Sequence, residues 1–173
     1  MSRILPDVLP QEYTLTLIDR MPFHGLKPEF YALAAGTKSD SDVRMNFPNS
    51  HRVNTIYGEI SDIDLDNQIV SVGQTKVDYS ELIIGLGCED KYHNVPGAKE
   101  YTHSIQTLSK ARETFHSISE LPKGARVGIV GAGLSGIELA SELRESRTDL
   151  EIILYDRGPR ILRNFPEKLS NYI

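Results

Sequence analysis

Three glycines, Gly131, Gly133 and Gly136, stand at G-x-G-x-x-G spacing inside RVGIVGAGLSGIELASELRE. An apolar run precedes them and an amphipathic stretch follows, a context that predicts strand, tight turn and helix. The first glycine permits the turn, the second lets the backbone approach a diphosphate, and the third lets the helix pack closely on the strand. Backbone N–H groups at Leu134, Ser135, Gly136 and Ile137, at the positive end of the helix dipole, would then favour a dianionic pyrophosphate. The competing reading is a strand-turn-helix that holds no ligand. Asp156 closes the next apolar run, 20 residues beyond Gly136. An acid there accepts hydrogen bonds from a ribose 2′-OH and repels a 2′-phosphate, which favours NAD(H) over its phosphorylated form. The adjacent Arg157 could instead hold a phosphate. Ser135 is no nucleophile elbow, because that motif needs glycine where Ile137 stands.

The elements around this unit follow from pattern. Tyr13–Asp19 reads as a buried strand broken by Pro22 and Gly25, and residues 26–35 as about two helical turns closed by Gly36. Asn54–Ile63 reads as one strand, and Gln68–Val77 as a β-hairpin turning at Gly73. The run Leu82–Leu86 has the look of a strand buried on both faces. Ser104–Leu121 has helical period, with Ile105, Leu108, Ala111, Phe115 and Ile118 on one face. Strand Val127–Val130, helix Leu134–Glu145, strand Leu150–Asp156 and a last helix after Pro166 complete the reading.

One internal echo bears on organisation. LTLIDRMP at Leu15–Pro22 resembles IILYDRGP at Ile152–Pro159, each an apolar strand ending in Asp-Arg before a proline. Two nucleotide-binding halves would each carry an acid at such a strand tip. Gly131 lies 25 residues before Asp156, and the same offset from Asp19 falls upstream of Met1. On this reading the first glycine loop is missing from the chain.

Composition narrows the class. With 39% hydrophobic and 25% charged residues, the chain is an ordinary soluble globular protein of one or two domains. A net charge of −5 with interspersed signs gives no basic patch and argues for no nucleic acid. A single cysteine, Cys88, excludes an internal disulfide and a Cys-x-x-Cys pair; with acidic Glu89 beside it, it reads as a structural thiol. The histidines do not pair at metal-ligand spacing, so no metal is expected. No apolar run is long enough to span a bilayer, and MSRILPDVLPQEY lacks a secretory pattern, so a cytoplasmic location is expected.

Over most of its length the chain resembles two-dinucleotide-binding flavoprotein oxidoreductases of the pyridine nucleotide-disulfide oxidoreductase type. Within them it is similar to type II NADH dehydrogenases, above all the NADH dehydrogenase-like proteins of bacilli. LTLIDRMPFHGLKPEFYALAAG, VDYSELIIGLGCEDKYHNVPGA and the glycine unit through IILYDRGPRIL carry the resemblance. It implies an α/β fold, an incomplete Rossmann-like FAD/NAD(P)-binding flavoprotein fold with a β-hairpin segment. A partial FAD-binding domain would occupy residues 1–103 and the first part of an NAD-binding domain residues 104–173. It also implies hydride transfer from NADH to FAD and electrons passed to a quinone or other acceptor, with full-length relatives peripheral at the inner face of the cell membrane.

Carried over by position, Asp19 with Arg20 would hold the FAD ribose, while Gly25, Lys27 and Pro28 would approach the flavin ring. Gly85 and Gly87 match a strand-end A-T-G motif near FAD, with Leu86 replacing its threonine and removing a polar contact. Glu138 matches an acid near nicotinamide and flavin, and equally suits a first-turn acid that stabilises the helix dipole. A disulfide reductase of the same superfamily needs two cysteines and is excluded. The alternative to a dehydrogenase fragment is a non-enzymatic NAD(H)-binding or regulatory module. Unpaired strand edges invite a partner chain, and a homodimer is one such partner.

Overall fold

The structure is a computed structural model that describes residues 5–172. The first four residues of the stretch tested for a secretory pattern, and Ile173 in the expected last helix, lie outside the described residues. The elements in chain order are α1 (Leu5–Val8), β1 (Leu15–Asp19), β2 (His24–Gly25), a 3-10 turn (Lys27–Glu29) and α2 (Phe30–Ala35). Next come β3 (Arg44–Met45), β4 (Val53–Tyr57), β5 (Ile60–Asp64), β6 (Ile69–Val72), β7 (Thr75–Asp78) and α3 (Ala98–Tyr101). The chain ends with α4 (Leu108–Ser119), β8 (Arg126–Val130), α5 (Leu134–Ser146), β9 (Glu151–Tyr155) and α6 (Glu167–Tyr172). Two compact units result: one holds residues up to His24 with Arg44–Gly87, the other Gly25–Val43 with the chain from Cys88 onward.

In the first unit β1 and β4 pair in parallel, in register from Leu15 opposite Val53 to Asp19 opposite Tyr57. The Gly58 N–H donates to the Asp19 carbonyl at 3.0 Å, and there the ladder stops. The chain leaves as β5 to join the antiparallel meander β5-β6-β7. The single strand expected at 54–63 is therefore two strands in two sheets. Gly58 makes the break possible, since a Cβ there would lie 2.6 Å from Val72 Cγ1. The expected hairpin forms, with Val72 opposite Thr75 and Gly73 at φ +59°.

The N-terminal segment is held by Arg52, whose guanidinium donates to the carbonyls of Pro6, Leu9, Pro10 and Tyr13. Four carbonyls gathered by one planar fork stand in for the carboxylate such a group usually takes. The expected buried strand at 82–86 does not form. No described strand pairs with it, and Ile83, Ile84 and Leu86 are 62%, 61% and 69% exposed. An apolar run becomes a strand only when a neighbour takes its N–H and C=O groups, and none is present among the described residues.

In the second unit β8 and β9 pair in parallel from Arg126 opposite Glu151 to Val130 opposite Tyr155. Ile129 on β8, Leu143 on α5, Leu150 before β9, Ile118 on α4 and Ala35 on α2 form one apolar core. Leu143 is fully buried, so its loss to alanine is expected to cost about 2–5 kcal/mol. α2 packs against both α4 and α5 and ends at Gly36, φ +80°, as the sequence predicts. Ser146 Oγ donates to the Ala35 carbonyl at 2.7 Å, tying the two helix ends together.

α4 is shorter than its apolar period implied because Thr107 caps it, accepting the Lys110 N–H at 3.3 Å. Its buried face holds Leu108, Ala111, Thr114 and Ile118, while Phe115 is partly exposed against Gly36. Arg147 closes the far end of α5: it pairs with Asp149 and donates to the carbonyls of Ile118 and Leu121.

Candidate functional site

β8 delivers the chain to Gly131, whose φ of +105° no side-chain-bearing residue adopts without strain. Its N–H donates to the Tyr155 carbonyl at 2.7 Å, one step beyond the β8–β9 ladder. The next peptide is gripped on both sides. Ala132 N–H donates to Asp156 Oδ2 at 2.9 Å, and Ala132 O accepts from Leu162 N–H at 2.8 Å. Ala132, Ile137 and Leu162 are buried together, so the loop after β9 is packed onto the glycine turn.

The glycines serve as their spacing predicts. A Cβ at Gly136 would lie 1.9 Å from the Gly131 carbonyl oxygen, so only glycine lets α5 start this close to the turn. At Gly133 the space is open, with nothing within 4 Å of where a Cβ would project. Gly133 is the extended N-cap of α5 and supplies no side-chain cap. Leu134, Ser135 and Gly136 are the first three helical residues, and a helix leaves such N–H groups without an internal acceptor. Among the described residues no protein acceptor takes them. Ile137 is different: its N–H returns to Gly133 O at 3.1 Å. The expected four-amide seat is therefore three amides, at the positive end of a 13-residue helix.

Asp156 stands just past β9 with both oxygens engaged, since Oδ1 accepts the Gly158 N–H at 2.7 Å while Oδ2 accepts Ala132. Those backbone bonds, with the charges of Arg163 and Arg157, hold its carboxyl below the usual carboxylate range. Each oxygen keeps a second lone pair, so a ribose hydroxyl can still be accepted. One turn into α5, Glu138 is half-buried, and burial followed by the charge of Glu29 pushes its pKa up. Glu29 itself is paired with Lys38 at 2.6 Å. Tyr31 beside them is raised by burial and then by Glu138. A groove of about 500 Å³ runs along α5 and β9 and is lined by Ile137, Ala140, Arg144, Ile152, Leu154 and Ile161. None of the three seat amides lines it. The seat is an open cradle at the helix tip.

The residues assigned by resemblance to the flavin side fall in both units. In the first, Asp19 Oδ1 accepts the Met21 N–H at 2.9 Å, the same two-residue turn that Asp156 makes with Gly158. Arg20 is exposed, 4.0 Å from Glu59. Gly85 and Gly87 lie in the open segment after β7, Gly87 at φ +82°. In the second unit Lys27 Nζ donates to Cys88 Sγ at 3.0 Å. Cys88 is exposed, so the structural thiol expected from sequence is an accessible one beside an ammonium group. No local signal announces a contact between residues 61 positions apart.

A family model for pyridine nucleotide-disulphide oxidoreductases matches residues 9–173. The chain belongs to that family. It is 56% identical over 174 residues to the NADH dehydrogenase-like protein YutJ of Bacillus subtilis (strain 168), covering 100% of this chain and 49% of that protein. It is 22% identical over 196 residues to the type II NADH:quinone oxidoreductase of Staphylococcus saprophyticus, covering 99% of this chain and 49% of that one. The solved structure of NDH2 from Plasmodium falciparum in complex with NADH aligns with a TM-score of 0.78 at 20% identity, over 94% of this chain and 40% of that one. At that identity the likeness shows the fold, which is the Rossmann-like oxidoreductase fold expected from sequence. This member of the pyridine nucleotide-disulphide oxidoreductase family spans about half the length of the curated relatives it matches.

Proposed function

We propose that the chain seats NADH at the tip of α5 and is part of an FAD-dependent NADH dehydrogenase. That enzyme passes a hydride from NADH by way of flavin to a quinone or another acceptor. The observation that carries the reading is the set of three uncapped amides, Leu134, Ser135 and Gly136, beside the open volume at Gly133 and closed on one side by Asp156. A diphosphate satisfies those donors, and Asp156 accepts from the adenosine ribose. Glu138, one turn into α5 with its pKa raised by burial and then by the charge of Glu29, is the acid that the family resemblance sets near the nicotinamide. The flavin supplies the two-electron acceptor when bound.

The flavin side is less complete in these residues. Asp19 and Arg20 offer a ribose contact, and Lys27, Gly85 and Gly87 are the ring-side candidates carried over from the family. Among the described residues no set of free turn amides stands beside Asp19 as one does beside Asp156, and no step through flavin is assigned to these side chains. On this reading residues 1–103 are the flavin part and residues 104–173 the nicotinamide part.

A quinone acceptor is supported by the names of relatives. Besides the staphylococcal protein, the demethylphylloquinone reductase NdbB of Synechocystis is 32% identical over 119 residues, covering 63% of this chain and 30% of that one. No helix among the described residues is long and apolar enough to cross a membrane. A peripheral position at the inner face of the cell membrane belongs to the same proposal and is supported by the quinone acceptors that the relatives' names print.

Titrating NADH fluorescence against the wild-type chain and a Gly133→Val variant tests the seat. Binding by the wild type and loss in the variant supports it, whereas equal binding by both contradicts it. The three amides support equally a second reading, a non-enzymatic NAD(H)-binding or regulatory module. A purified chain that binds NADH, is colourless and has no turnover agrees with the module. A stoichiometric flavin absorption band rules it out.

A further inference from the structure

Lys27 and Cys88 meet within the second unit, where Lys27 Nζ donates to Cys88 Sγ at 3.0 Å. Both side chains are exposed, so small solutes reach the pair. The thiol in turn donates to Gln106 Oε1 at 3.6 Å, using sulfur's weak donor and weak acceptor capacity together. Each side of the contact stands on anchored backbone. Lys27 lies between Leu26, whose N–H donates to the Val43 carbonyl at 2.8 Å, and Pro28, whose ring fixes φ at the start of the turn into α2. On the other side the Gln106 N–H donates to Ser104 Oγ at 3.0 Å, and the Ser104 carbonyl accepts from the buried Thr114 hydroxyl of α4 at 2.7 Å. The thiol is therefore not an isolated one, because a primary amine already touches it. Two reactive groups held in contact react without the entropy cost of an encounter.

We propose that Lys27 and Cys88 are a reversible redox switch, in which a peroxide joins the two side chains through one bridging oxygen as a covalent N–O–S link. The oxidant is hydrogen peroxide or another hydroperoxide. One peroxide oxidises the exposed sulfur to a sulfenic acid, S–OH, and is itself reduced. A second takes the electron pair released as the Lys27 nitrogen, as free amine, bonds to that oxygen. In sum one thiol, one amine and two hydrogen peroxide molecules give the S–O–N link and three waters. The S–H bond and one N–H bond break, the S–O and O–N bonds form, and four electrons pass to the two O–O bonds. At a separation of 3.0 Å one oxygen fits between nitrogen and sulfur with little movement, whereas a direct S–N bond would draw them well inside it. Lys27 is a ring-side candidate in the reading above, so the link withdraws its amine until a dithiol restores it. The link itself does not depend on that reading.

Mass spectrometry of the purified chain, treated with hydrogen peroxide and digested with trypsin, tests this. The expected product joins the peptides of residues 21–38 and 77–91, which contain Lys27 and Cys88, with one oxygen gained and two hydrogens lost. It should disappear on treatment with excess dithiol, and it should be absent from K27R and from C88S. K27R keeps the positive charge and lacks the primary amine, so it separates the bond-forming role of Lys27 from a charge effect. Cys88 oxidised to sulfinic or sulfonic acid with the Lys27 peptide unchanged would overturn the proposal. So would a disulfide between two copies as the main product, a Cys88 that peroxide leaves untouched, or a link that persists in K27R. A joined product lacking the added oxygen would overturn the bridge.

Discussion

Asp19 ends β1 and Asp156 directly follows β9, each strand apolar and in a parallel pair, and each acid accepts the N–H two residues on. They differ in the second carboxylate oxygen. Asp156 Oδ2 reaches into the glycine turn and takes the Ala132 N–H, while no amide of that kind meets Asp19 among the described residues. The comparison separates the strand-end acid, a local feature written in a few residues, from the seat, which needs an acid, a turn and a helix tip assembled together.

Substitutions sharpen this contrast in order of expected effect. Gly136→Val should be the most damaging, because its Cβ meets a backbone oxygen that no rotamer can move. A loss of about 3 kcal/mol or more in urea unfolding is expected, at the upper end of overpacking costs. Gly131→Ala should cost about 1–3 kcal/mol from its left-handed backbone alone, since space there is open. Asp156→Ala should lower the unfolding midpoint more than Asp19→Ala, because it strands two backbone N–H groups against one. Equal losses would mean the turn does not depend on its acid.

The acid limb of stability supplies a pH test. The folded-state pKa of Asp156 is depressed, so its contribution is present above the ordinary aspartate value of about 3.9 and is lost as pH falls through the depressed one. Asp156→Asn should remove that part of the acid dependence. Glu138 works in the opposite sense. Its raised pKa makes the folded carboxylate a cost above that pKa, so Glu138→Gln should stabilise slightly at neutral pH, and the difference should vanish in acid. The smallest effect belongs to the open segment: Ile84→Ser should change stability by no more than about 0.5 kcal/mol, as expected of an exposed side chain.

What was legible in the sequence was local. The glycine turn, the hairpin at Gly73, the Gly36 cap and the buried face of α4 follow from neighbouring residues whose backbone needs are fixed by their own types. The misreadings concern partners. Leu82–Leu86 has strand composition but no strand beside it, and the 54–63 run divides because β5 finds β6. The Arg52 clamp and the Lys27–Cys88 contact join residues far apart in sequence, which periodicity cannot see. At the seat, sequence located the donors, but the double grip on Ala132 emerged only from the folded loop.

The most direct measurement is backbone amide NMR of the protein titrated with NADH. The account predicts the largest shift changes at Leu134, Ser135 and Gly136, with smaller ones at Ala132 and around Asp156, all reduced in Gly133→Val. Saturable NADH binding that leaves those three amides unmoved would contradict it.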